Sequence, residues 1–375
     1  MMIKVYKFKV YPNKKQEELI QKTFGCVRYI YNYYLDKGIK NYQDSKKFIS
    51  FAENSRDLTI LKQENKWLQE VDKWSLQNSL KNLDSAYVKF FNGQNNFPNF
   101  KKKKEKGGSY RTTFTRNNIQ YCDKRIKIPK VGYLKTKDKQ IPEGRILNAT
   151  VSQKATGEYF VSLCCTDVNI IPFKKTNKSI GIDLGIKDYI TLSNGEKINN
   201  PRYFKQSLTR IKRLHKSLSR KTEGGSNYNK NKIKLAREYE KISNQKKDFL
   251  QKLTTELVKN YDIICVENLG IEDIIRENAQ MDNKCRGAQY NFSIKEASWG
   301  EFIRELEYKT KWYDKKLIKI DRYFPSSQTC YECGYINEEI KNLQIREWDC
   351  PKCQTHHDRD INAAKNILRE GLKLV

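Results

Sequence analysis

Histidine is nearly missing from this chain. His215, His356 and His357 are the only three, too few to support a His-rich catalytic metal centre. Long apolar runs are missing as well. No window approaches the ~20 residues that a membrane-spanning helix needs, and Met1 to Tyr11 alternates apolar and basic residues without the apolar core of a secretory signal. The expectation is a soluble, cytoplasmic protein with no membrane partner. Acid is also in short supply: 44 Asp and Glu face 73 Lys and Arg in 375 residues, a net charge of +29. An AT-rich genome enriches Lys, Asn, Ile and Tyr together, but it does not explain why acidic residues fail to balance the lysines. A field of this size makes a polyanion, nucleic acid before membrane, the expected partner. Internal repeats are lacking too. Ten cysteines in a reducing compartment read as thiols or metal ligands, not as a disulfide framework. Six are scattered (Cys26, Cys122, Cys164, Cys165, Cys265 and Cys285) and read as small buried hydrophobes.

What is present falls into segments of different period. Ile3 to Tyr11 alternates strictly and reads as a strand with one buried face. From Lys14 to about Phe91 the period is helical, with one stripe through Leu19, Ile20, Phe24, Val27, Ile30, Tyr31 and Tyr34. A second runs through Leu76, Leu80, Leu83, Tyr87, Phe90 and Phe91. A loop and the basic run Lys101 to Lys104 follow. Residues 109–171 are strand-like, a small β domain that the first strand can join, with the helices as an insertion. From Lys178 the pattern is α/β: a strand at Ser179 to Gly185, a hairpin at Tyr189–Leu192 turning on Asn194-Gly195, and two long helices parted by Gly224-Gly225. A strand at Tyr261–Val266, a helix over Lys295–Tyr313, a strand at Leu317–Ile320 and a last helix from Asp360 complete it. Between Arg202 and Lys252, sixteen Lys and Arg stand against four Asp and Glu, which reads as a phosphate-facing surface.

Two constellations carry chemistry. Cys330-x₂-Cys333-x₁₆-Cys350-x₂-Cys353 has the spacing of a zinc ribbon. Four sulfurs close the coordination sphere, so one structural Zn²⁺ is expected, and His356 and His357 read as polar neighbours of the active site or of nucleic acid. The other is a set of three carboxylates. Asp183 interrupts the apolar strand Ile180-Gly-Ile-Asp-Leu-Gly-Ile186, where a charge is costly unless paired or bound to a cation. Gly181 and Gly185 beside it leave room for a close approach. Glu267 ends a strand of the same kind, and Asp360 lies at the start of the last helix. Singly, each has a plain explanation, such as Asp360 capping its helix. Jointly, Asp on a first strand, Glu on a later central strand and Asp on a C-terminal helix form the RNase H-like arrangement. Phosphodiester hydrolysis needs an activated water and charge relief on the leaving oxygen, which two Mg²⁺ ions about 3.5–4 Å apart supply. Carboxylates suit that hard cation better than His or Cys.

Gly181-Ile-Asp-Leu-Gly185, Val266-Glu-Asn-Leu269, Phe324-Pro-Ser-Ser-Gln-Thr-Cys330 and His357-Asp-Arg-Asp-Ile-Asn-Ala-Ala364 resemble the TnpB (OrfB) proteins of insertion-sequence transposons, relatives of type V CRISPR effectors. Trp74 to Leu83 and Phe97-Pro-Asn-Phe-Lys101 extend the likeness to the N-terminal half. The resemblance implies an RNA-guided DNA endonuclease with catalytic, Mg²⁺-binding Asp183, Glu267 and Asp360, the last chosen over Asp358. It implies a guide RNA from the transposon end, a double-stranded DNA target and a short target-adjacent motif; the sequence does not fix an oligomeric state, and no protein oligomer is expected. The domains it implies are a β-barrel-like wedge (1–12 and 100–175), a helical recognition insertion (13–99), a RuvC-like nuclease (176–327 and 355–375) and an inserted zinc ribbon (328–354). Lys73 and Gln77 fall on the helix that approaches the target-adjacent motif, and Arg346 and Arg359 stand near the site as candidate phosphate contacts. Tyr29, Tyr33 and Tyr42 read as helix-packing aromatics. A guided repressor with a dead nuclease centre, an RNase H-fold transposase and a non-enzymatic RNA-binding protein are the rival readings. The intact carboxylates speak against the first and last, the terminal ribbon against the second.

Overall fold

A computed structural model describes residues 2–103, 107–279, 284–342 and 344–375. Lys104 and the side chain of Cys285 lie outside the described residues. The chain divides into two compact units, Met1–Asn169 and Ile170–Val375.

In the first unit, β1 (Lys4–Tyr11) buries Tyr6, Phe8 and Val10 on one face, as its alternation demands. Three helices follow: α1 (Lys14–Ser45), α2 (Phe51–Glu64) and α3 (Lys73–Phe91). Asn13 opens α1 with a reciprocal cap to Gln16. Their stripes share a core through Ile30, Tyr34, Leu58, Leu76, Leu80 and Leu83. Then come β2 (Gly108–Thr113), β3 (Gln120–Cys122), β4 (Arg125–Ile128), β5 (Gly132–Thr136), β6 (Arg145–Gln153) and β7 (Tyr159–Thr166). The sheet order is β2-β6-β7-β1-β5-β4-β3, with β1 antiparallel to β7 from Lys4↔Cys165 to Val10↔Tyr159. The first strand does join the later β segment, and the three helices are inserted between them. Some side chains differ from expectation. Tyr29 and Tyr33 stack within the helical layer, whereas Tyr42 is 52% and Phe91 63% exposed, because each lies near the end of its helix, beyond the shared core. Cys26, Cys165 and Cys265 are buried; Cys122 is exposed because β3 is an edge strand, and Cys164 is partly exposed because it alternates with buried Leu163 and Cys165 along β7.

The second unit is built on a five-stranded sheet. Its strands are β8 (Ser179–Leu184), β9 (Asp188–Leu192), β10 (Lys197–Asn199), β11 (Ile263–Glu267) and β12 (Lys316–Ile320), in the order β10-β9-β8-β11-β12. The pairs β8–β11 and β11–β12 are parallel. Helices α4 (Tyr203–Ser219) and α5 (Ser226–Asn260) form the basic hairpin; α6 (Ile271–Ala279), α7 (Lys284–Ala297) and α8 (Trp299–Trp312) separate β11 from β12. The single helix expected over Lys295–Tyr313 is broken at Ser298, whose φ of 57° is left-handed. One sheet face packs Ile180, Ile182, Ile264 and Val266 against Leu253, Leu257, Phe302 and Leu306. After β12 come two short paired strands, β13 (Glu347–Asp349) and β14 (His356–Asp358), then α9 (Arg359–Leu372).

Candidate active site and cysteine cluster

The parallel register of β8 and β11 pairs Gly181 with Cys265 and Ile182 with Val266. One step further puts Asp183 level with Glu267, on the same face because side chains alternate with period two. Helix α9 covers that face. A Cβ on Gly181 would sit 2.1 Å from the Ala364 carbonyl oxygen, and one on Gly371 2.4 Å from the Cys265 sulfur. Glycine is required at both points, because the α9 backbone touches the β8 backbone at Gly181 and the Cys265 side chain at Gly371. The Cβ of a residue at 185 would likewise meet the Asp188 carbonyl at 2.5 Å. Asp360, one turn before Ala364, therefore sits at the α9 end nearest the carboxyl ends of the strands.

All three carboxylates line one cleft of about 1260 Å³, with Ser326, Arg346 and Arg359. Desolvation at the bottom of the cleft, then the charges of Glu267 and Asp360, push the Asp183 carboxyl up to about 8, against the pull of Arg359 and Arg346. Burial also raises Glu267, opposed by a hydrogen bond donated by the Ser326 hydroxyl to Oε1. Carboxylates that share a cleft repel one another unless a cation lies among them, and an all-oxygen donor set fits a hard divalent ion. Among the described residues, only the four cysteines hold their ligand atoms within 4.8 Å of one another. Asp183, Glu267 and Asp360 do not bring three ligand oxygens within that distance.

Capping of α9 falls to Asp358, whose Oδ1 accepts from the backbone N–H of Asp360 (3.1 Å) and Ile361 (3.0 Å); its Oδ2 pairs with Lys197 at 2.6 Å. That leaves the Asp360 carboxylate in the cleft, 3.4 Å from the Arg346 guanidinium. Arg346 is half exposed. Arg359 is buried and donates to the Asn342 carbonyl at 3.2 Å. Lys73 and Gln77 belong to the first unit: Lys73 is exposed at the start of α3, while Gln77 Oε1 accepts from Ser55 of α2 at 3.1 Å.

The cysteines form the second centre. Cys330 and Cys353 sulfurs are 3.6 Å apart, and those of Cys333 and Cys350 3.5 Å. Four sulfurs so close, on two tight turns, fit a tetrahedral Zn²⁺ in a closed site. His357 does not line the cleft. It is buried, its Nε2 is 3.1 Å from the Cys330 sulfur, and its ring packs on Trp348. Strand alternation in β14 explains this, since it sends His356 outward to Asp349.

Sequence reasoning missed the polar residues that hold these parts: Asn362, Asn366, Lys197 and, as a contact of Glu267, Ser326. The one available signal was Asn362 and Asn366 at helical spacing beside Ala363 and Ala364, a neutral polar stripe on a helix due to be buried.

A parallel-centred sheet with carboxylates at its strand ends and a four-cysteine ribbon before the last helix defines an α/β protein with an inserted zinc-ribbon-like element. Family models match three stretches: "Helix-turn-helix domain" of OrfB over residues 1–47, "Probable transposase" of OrfB over 162–278, and "Cas12f1-like, TNB domain" over 299–367. Over 1–47 the structure has a strand and one uninterrupted 32-residue helix. A Streptomyces pristinaespiralis protein named "Putative RNA-guided DNA endonuclease" is 34% identical over 374 residues, 98% of this chain and 89% of the relative. InsQ of Escherichia coli K12, with the same description, is 28% identical over 98% of this chain and 92% of its own. The Cas12f1 protein, solved with its sgRNA and target DNA, shares the fold at a TM-score of 0.59 and 15% identity, over 98% of both chains. The chain belongs to the TnpB (OrfB) family.

Proposed function

We propose that this chain is an RNA-guided DNA endonuclease that cuts through a RuvC-like centre of Asp183, Glu267 and Asp360. The observation that carries this reading is the register of β8 and β11, which sets Asp183 level with Glu267 beneath the first turn of α9. The names of the full-length relatives support it. Divalent ions, two Mg²⁺ in this reading, supply charge relief at the phosphate and a more acidic water when bound. Asp183, Glu267 and Asp360 are the residues that would hold them. Arg346, half exposed beside Asp360, takes the phosphate oxygen, and the buried Arg359 adds positive field below it. Water adds to phosphorus, the leaving oxygen departs protonated, and one site serves both strands in turn.

In this reading 1–12 with 100–175 are the wedge, and 13–99 the helical part that meets the target-adjacent motif through Lys73. Residues 176–327 with 355–375 are the nuclease, and 328–354 the zinc ribbon. A guide from the transposon end supplies sequence choice by base pairing, while the protein grips the heteroduplex by backbone and shape. The test is cleavage of double-stranded DNA by protein, cognate RNA and Mg²⁺. Asp183→Ala is expected to stop cutting while DNA binding survives; undiminished cleavage by that variant would falsify the site. The match to a model described as "Probable transposase" favours a second reading, strand transfer at the same carboxylates. Joined rather than cut DNA ends would establish it.

A further inference from the structure

Glu267 is held by a chain of buried hydrogen bonds that begins at the cysteine cluster. The Ser326 hydroxyl donates to Glu267 Oε1 across 59 residues of sequence. Ser326 is 6% exposed and sits in a tight turn closed by Gln328 and Thr329 N–H on the Pro325 carbonyl, 3.1 and 3.0 Å. That turn is fixed to α9. The fully buried Asn366 donates through Nδ2 to the carbonyls of Ser326 (2.9 Å) and Thr329 (2.6 Å), and its Oδ1 accepts from Arg369 at 2.7 Å. Asn362, one turn earlier, donates to the Thr329 carbonyl at 2.8 Å and accepts from Tyr331 N–H at 3.0 Å. Arg369 donates to the Tyr331 carbonyl. Both chain neighbours of Cys330 are thus pinned to α9, four residues from the side chain that holds Glu267.

The same helix carries Asp360, on the stripe that continues through Ala364 to the sheet. Asn362, Asn366 and Arg369, at i, i+4 and i+7, form another stripe. A buried amide with both donors and its acceptor in use is costly to disturb. We propose that Ser326 and Asn366 are positioning residues that fix the Glu267 carboxylate relative to Asp183 and Asp360, tying the cysteine ribbon mechanically to the cation site. The proposal rests on the nuclease reading for its cation, and it predicts behaviour that a merely structural turn would not show.

The test is Mn²⁺ alone, titrated into the full chain and followed by the spectrum of the free ion. Ser326→Ala is expected to weaken Mn²⁺ binding by about tenfold, the size seen when the hydrogen-bond partner of a metal ligand is removed. Ser326→Thr, which keeps the hydroxyl, is expected to stay within about twofold, with zinc content and melting temperature of both variants unchanged. Asn366→Asp, which sets a carboxylate against two carbonyls, is expected to weaken Mn²⁺ as Ser326→Ala does. Unaltered Mn²⁺ affinity in Ser326→Ala, or equal losses in the Ala and Thr variants, overturns the proposal. If Asn366→Asp unfolds, the Ser326 pair decides alone. Wild-type chain that binds Mn²⁺ with this dependence yet leaves DNA intact in the presence of guide sinks the nuclease reading and leaves the positioning of Glu267 standing.

Discussion

Asp358 and Asp360 lie two residues apart and do opposite work. Asp358 spends one oxygen on the α9 N-terminus and the other on Lys197, whereas the Asp360 carboxylate lines the cleft beside Arg346. Removing a cap costs about 1 kcal/mol, and an ion pair this exposed adds at most ~1. Asp358→Ala is therefore expected to lower unfolding free energy by about 1–2 kcal/mol in denaturant titration while leaving some cleavage. Asp360→Ala is expected to abolish cleavage with stability unchanged or improved, because it relieves repulsion on Asp183. The reverse pattern would exchange their roles. Gly181 offers a check on the backbone contact. Gly181→Ala is expected to destabilise by about 1–3 kcal/mol through overpacking against α9, measured in the same titration.

At the scale of elements, Asp262 ties three segments together at the start of β11. It accepts from the N–H of Thr176 (2.8 Å) and Asn177 (2.6 Å) and pairs with Lys315, which also donates to the Lys174 carbonyl at 2.9 Å. Desolvation pulls this carboxyl upward, but Lys315 and the two N–H donors outweigh it and hold it down at about 2, against 3.8 unperturbed. A depressed carboxylate contributes stability that is complete above its unfolded value and lost as pH falls through its folded one. Asp262→Asn is expected to cost about 2–3 kcal/mol at neutral pH, less than a fully buried pair, and to fall less steeply than wild type between pH 4 and pH 2. Parallel acid profiles would remove the carboxylate from the account. Helix α4 belongs to this scale too. Ile211 is its one buried residue, and Lys212, Arg213 and Lys216 are exposed. Changing those three to Gln is expected to leave the melting temperature in place. If α4 faces the guide, the slope of log affinity for guide RNA against log salt is expected to fall by about 2–3, the value for three phosphate contacts; an unchanged slope removes α4 from the RNA surface.

Over the whole molecule, two kinds of binding site differ in donor chemistry and in what they stabilise. The four sulfurs close on themselves around a small core of Ile340 and Trp348, too few apolar residues to fold the ribbon alone. One equivalent of zinc per chain is expected by elemental analysis. A chelator is expected to produce an early thermal transition confined to the ribbon, and a chain that melts in one unchanged step with zinc removed contradicts that role. The carboxylate cleft differs: burial and the charges of Glu267 and Asp360 raise the Asp183 carboxyl, and in the proposed reading a bound cation would relieve that repulsion.

Short-range features were legible in the order of the amino acids. Alternation in Ile3–Tyr11 specified a one-faced strand, Gly224-Gly225 the break between two basic helices, and the paired Cys-x₂-Cys knuckles a four-sulfur site, because each depends on neighbours within a turn or two. The candidate carboxylates were legible as costly charges in apolar strands and through family resemblance. Tertiary structure alone decided which oxygen caps α9, that β1 pairs with β7 across some 150 residues, that Ser298 breaks a helix, and that Ser326, Asn362 and Asn366 bind the ribbon to Glu267. A neutral polar side chain carries no local signature of its partner. Its hydrogen bonds are specified only when strands and helices far apart in sequence are brought into register.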